Sequence, residues 1–71
     1  MPNQATKKYS VLFKDKNGEF DMVHVNASNV HNASEVFFND NKHSDKTIVV
    51  ISEGTEFNNT YRNQNGSYEK L

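Results

Sequence analysis

Residues 9–25, Tyr9-Ser10-Val11-Leu12-Phe13-Lys14-Asp15-Lys16-Asn17-Gly18-Glu19-Phe20-Asp21-Met22-Val23-His24-Val25, decide the fold. Two runs rich in aromatic and β-branched residues flank Asp15-Lys16-Asn17-Gly18. Aspartate suits the first position of a type I turn, and glycine takes the left-handed backbone that follows it. The pattern reads as a hairpin with strands over 8–14 and 19–26.

The turn sets the register, and the register sets which residues share a face. A two-residue Asn17-Gly18 loop would place Phe13 opposite Met22 and Val11 opposite His24. A type I turn with a bulge at Gly18 instead pairs Phe13 with Asp21, Val11 with Val23 and Tyr9 with Val25. The second register collects Tyr9, Val11, Val23 and Val25 on one face and is preferred, because that face makes a core. The other face then carries Ser10, Leu12, Lys14, Phe20, Met22 and His24, which is too apolar for a purely solvated surface.

After the hairpin, Ser28 or Asn29 can cap a helix. A helix over about 29–41 aligns Val30, Ala33 and Phe37, flanked by Val36 and Phe38, and this stripe packs on the hairpin. Residues 39–45 are polar and aperiodic, so they read as helix end and loop, with Lys42 and His43 near the helix C-terminal dipole. Thr47–Glu53 is a third strand, apolar on both faces under strict alternation: Ile48 and Val50 on one, Val49 and Ile51 on the other. Strands of that kind are normally covered on both sides, and a single helix covers one. From Gly54 onward only Phe57, Tyr61, Tyr68 and Leu71 are apolar.

The expected architecture is therefore α+β, a ββαβ unit with an antiparallel sheet of three to four strands and one helix packed on one face. Residues 1–7 form a flexible N-terminus, 8–56 the ββαβ domain, and 57–71 an edge strand or flexible tail, with a short strand or hairpin near residues 60–62 and a turn or loop at Asn63-Gln64-Asn65-Gly66-Ser67.

Composition narrows the function. A chain of 71 residues forms one domain with modest stability. It has no cysteine for disulfides or thiolate metal sites, and three scattered histidines do not supply a closed zinc site. Net charge is −1, with cations and anions interleaved, which weighs against nucleic acid and anionic membranes. Neither a signal peptide nor a transmembrane stretch is evident, and a cytoplasmic location is expected. Four of the eleven asparagines, Asn26, Asn32, Asn58 and Asn65, start Asn-X-Ser/Thr sequons, which we read as products of an asparagine-rich composition.

No phosphate loop, nucleophile elbow or metalloprotease motif is present, so no catalytic residue, metal ligand or cofactor is assigned and a non-enzymatic role is expected. His31 and Glu35 stand four apart on the helix, a spacing that suits a solvated pair more than a metal grip lacking a third ligand. The most informative constellation is Leu12, Phe20, Met22 and His24 on the spare face, with one face of residues 48–51 beside them, a candidate protein-interaction site for a host protein or a second copy, with an exposed edge strand as the other route of contact. Its alternative is that the C-terminal aromatics fold back over that face. A second candidate is Phe57, Tyr61, Arg62 and Tyr68, aromatics with one cation, as in single-strand nucleic-acid platforms. Glu56, Glu69 and the weak acidity of the chain favour instead a reading of these aromatics as anchors of a terminal strand.

The succession Tyr9-Ser10-Val11-Leu12-Phe13, Asp15-Lys16-Asn17-Gly18-Glu19, Val23-His24-Val25-Asn26-Ala27-Ser28, Ala33, Phe37 and Ile48-Val49-Val50-Ile51 resembles small orphan proteins of phages and their bacterial hosts. Many of those look like host-takeover, antitoxin or anti-defence proteins. The resemblance covers residues 9–51 as a fold pattern and implies a class of role: a small protein that binds and modulates a larger one.

Overall fold

A computed structural model describes residues 6–54 and 59–71. Strands β1 (Lys7–Lys14) and β2 (Phe20–Ala27) form the hairpin. Helix α1 (Val30–Asn39) follows, then a single 3-10 turn over Asn41–His43. Strands β3 (Thr47–Glu53), β4 (Thr60–Gln64) and β5 (Ser67–Lys70) complete one antiparallel sheet in the order β2-β1-β3-β4-β5. The class is α+β as expected, but the sheet has five strands where three to four were anticipated.

The hairpin register is the bulged one: Phe13 pairs with Asp21, Val11 with Val23 and Tyr9 with Val25. The Gly18 amide donates to Asp15 O at 2.9 Å, and Gly18 takes φ +83°, a conformation that disfavours any residue with a Cβ. Asp15 Oδ1 accepts from the amides of Asn17 and Glu19 at 2.8 and 3.0 Å. These bonds, that from Glu19 foremost, hold the Asp15 carboxyl below its ordinary range.

Asn29 caps α1, its side chain accepting from the Asn32 amide at 2.7 Å, while Asn32 Oδ1 reaches back to the Ser28 amide at 3.1 Å. Both oxygens satisfy amides with no partner inside the helix. The helix packs Ala33 and Phe37 against Tyr9, Val11, Phe13, Ala27, Ile48 and Ile51, with Val23, Val25, Val30, Val36 and Tyr68 around this core.

Strict alternation fails in β3. Val11 pairs with Ile51, Leu12 with Val50, and Phe13 with Ile48, so Val49 is an extra residue bulged out of the ladder. The bulge brings Ile48 and Ile51 to the same, helix-covered face, where they are 2% and 0% exposed. The expected pairing of Ile48 with Val50 and of Val49 with Ile51 is thereby corrected. Deleting Val49 leaves Ile51, Val50 and Ile48 opposite their present β1 partners in unbroken alternation. The variant is expected to fold, losing about 1–2 kcal/mol for a half-buried valine. A urea titration checks this, and global unfolding would contradict the bulge assignment.

Residues 60–70, for which an edge strand, a hairpin and a tail were all open, form the β4–β5 hairpin. Its turn is Asn65-Gly66, with φ +54° and +94°, the pair of positive angles that a two-residue type I′ turn needs. His43, expected in a polar loop, is instead buried. Its ring stacks on Phe37 at 4.2 Å and 5°, and because a carbonyl only accepts, Nδ1 carries the proton and donates to Phe37 O at 3.2 Å.

Candidate interaction surface

Side chains of directly paired residues share a face, so the ladder assigns the open side of the sheet residue by residue. Across the sheet, one row reads Met22, Leu12, Val50, Arg62, Glu69. A neighbouring row reads Phe20, Lys14, Thr47, and on the other side lies His24, Ser10, Ser52, Thr60. Asn26 and Lys8 close the patch. The helix packs on the opposite face, and among the described residues no helix lies over this one.

The expected site residues Leu12, Phe20, Met22 and His24 therefore lie together, and Val50 joins them. Phe20 is 63% and Met22 42% exposed, while Leu12 and Val50, nearer the centre of the sheet, are half-buried. Two polar residues in the neighbouring row are fully buried and satisfied. Ser10 Oγ donates to Gly54 O at 2.7 Å, and the hydroxyls of Ser52 and Thr60 share a bond of 2.8 Å. Gly54 N also donates to Lys8 O at 2.7 Å, tying the end of β3 back to β1.

The second constellation is divided by the sheet. Tyr61 pairs with Ile51 and Tyr68 with Asn63, which puts both rings on the helix side. Arg62 points to the open side, where it meets Glu69 at 3.1 Å. Phe57 lies outside the described residues. Tyr68 packs beside the core, burial pushing its phenol up and the Ser34 hydroxyl acting in the other direction. Burial also raises the phenol of Tyr9, with the Glu53 carboxylate and Tyr61 adding to it.

Comparison of the chain with protein-family models, with curated proteins and with solved structures finds no significant match.

Two concavities mark the described surface. One, of about 520 Å³, lies between the start of α1 and the β4–β5 hairpin, lined by Asn29, Val30, His31, Tyr61 and Tyr68 among others. The smaller, about 350 Å³, opens beside Phe13 and His43 with Asp21, Lys42 and Lys46 at its mouth. His31 and Glu35 are both exposed, and no group of three metal-ligating side chains occurs among the described residues. Among these residues, no helix is long and apolar enough to cross a membrane.

One face of the run over residues 48–51 was expected beside this patch, and the structure puts Val50 there without Ile48. Alternation alone placed it with Ile48, and no glycine or proline marks the bulge that separates them.

Proposed function

We propose that this protein is a non-enzymatic interaction module that binds a larger protein through the open face of its sheet and modulates it. One observation carries the reading: among the described residues the sheet is covered by a helix on one side only, and on the other Phe20 and Met22 stand exposed beside Leu12 and Val50. Contiguous apolar surface of this kind is kept at a cost in solubility and marks contact sites. The resemblance to small phage and bacterial modulators agrees in role.

The test uses Met22→Lys and Phe20→Asp, two exposed positions whose replacement leaves the core intact. A partner captured by the wild-type protein is expected to bind each variant at least about tenfold more weakly, a loss of about 1.4 kcal/mol. Phe38→Ser, on the helix at an exposed position, is the control expected to retain binding. Full partner binding by a folded Met22→Lys protein would exclude the open face as the contact.

A further inference from the structure

The register that sorts apolar residues also sorts charge. Of the eight lysines and arginines, Lys8, Lys14 and Arg62 project from the open face, whereas Glu69 is the only carboxylate on it among the described residues. The face is net +2 in a chain that is net −1. Asp21 and Glu53, which pair with Phe13 and Tyr9, belong to the helix side. The slip to the two-residue loop would have put Asp21 on the face of Lys14.

We propose that the open face takes an acidic protein segment carrying spaced aliphatic anchors, an inference that rests on the interaction-module reading above. Met22, Leu12 and Val50 form an aliphatic row, with Lys14 in the next row, His24 on the other side and Arg62 at its end. Adjacent strands are about 4.8 Å apart, so the three apolar side chains recur at that interval across the sheet. A helix laid across the strands offers apolar residues every three to four positions, about 5 Å apart along its axis, which matches the row. Carboxylates on its flanks would meet Lys8 and Lys14.

Charge disfavours the other occupants. Two copies stacked through this face would bring like-charged surfaces together. Single-stranded nucleic acid would find cations but little to stack on: Phe20 is the only Phe or Tyr on the face among the described residues, and it stands in the outermost strand.

The experiment titrates the isotopically labelled full chain with two short amphipathic helical peptides that share leucines at i, i+4 and i+7. Their polar positions are all glutamate in one and all lysine in the other; oligo-dT is a third probe. The glutamate peptide is expected to shift the amide signals of Leu12, Met22 and Val50 and to bind at least about tenfold more tightly than the lysine peptide. Its binding should weaken as salt rises from about 50 to about 200 mM. Lys8→Glu combined with Lys14→Glu, both exposed, makes the face net negative and should reverse the preference. Equal or tighter binding of the lysine peptide on the same row would overturn the charge inference while leaving the contact face standing. Tighter binding of oligo-dT, or concentration-dependent shifts of this row without any probe, would overturn it in favour of nucleic acid or a second copy. No shift on the row with either peptide would overturn both the inference and the function on which it rests.

Discussion

Phe37→Ala is expected to destabilise the protein by about 3–5 kcal/mol, the usual cost of emptying an aromatic core site. Phe37 is 1% exposed and sits where three elements meet. Its ring lies 4.9 Å from Phe13 of β1, tilted by 53°, and stacks on His43 of the 3-10 turn. Its carbonyl accepts the His43 ring proton and the Asp40 amide. Truncation therefore opens a cavity, unstacks an imidazole that holds the helix exit, and removes the ring contact between α1 and Phe13 of the hairpin. A domain of this size has about 4–10 kcal/mol in total, at about 0.05–0.15 kcal/mol per residue, so the loss consumes much of it. Urea denaturation followed by far-ultraviolet circular dichroism measures the effect. Phe38→Ala, at a site 42% exposed, should cost about 1 kcal/mol or less. Equal losses at the two positions would show that the helix does not use the stripe described.

That stripe was legible in the sequence, and so was the hairpin. Asp15 and Gly18 are each demanded by one conformation, and the hydrophobic pattern selects between the two registers that the turn allows. The same logic located Leu12, Phe20, Met22 and His24 on one surface, because a period of two follows directly from the register. It failed in β3, where Thr47-Ile48-Val49-Val50-Ile51 is apolar at four successive positions. A pattern without polar markers does not show where an extra residue enters, so Val50 was grouped with Ile48, from which the bulge separates it. The β4–β5 hairpin was hidden for the opposite reason. Its strands, Thr60–Gln64 and Ser67–Lys70, are nearly all polar, and each is held by its neighbours more than by burial. Only Asn65-Gly66 announced it. His43 was missed because a histidine among polar residues gives no sign of the aromatic shelf that receives it.

Asn63→Asp is the sharper probe of the second half of the sheet, with an expected cost of about 2–3 kcal/mol. The paired residues of β3 and β4 run only over Ile51 and its two neighbours, Val50 with Arg62 and Ser52 with Thr60. Beyond the Val49 bulge, the carbonyl of Ile48 is met by a side chain: Asn63 Nδ2 donates to it at 2.8 Å. The other end of the same amide, Oδ1, accepts from Gly66 N at 3.0 Å and so fixes the type I′ turn. One side chain thus fastens the bulged strand to the terminal hairpin. Aspartate keeps the acceptor toward Gly66 but sets an oxygen against the Ile48 carbonyl, with a half-buried donor lost and nothing to replace it. Gln64→Glu, one residue on and exposed, should change stability by no more than about 0.5 kcal/mol. The pH dependence separates the causes. Repulsion from the carbonyl raises the folded-state pKa of the new carboxyl above its unfolded value of about 3.9, so the protonated form is the one the fold accommodates. The variant's deficit should therefore shrink as pH falls through that folded value, since the protonated carboxyl can donate to Ile48 O, and be full above it. A deficit independent of pH would mean that shape and not the donated bond is what Asn63 contributes. Hydrogen exchange supplies the structural readout: above that pKa the β5 amides should lose protection while those of β1 keep theirs, because β1 is held between β2 and β3 and β5 only by β4.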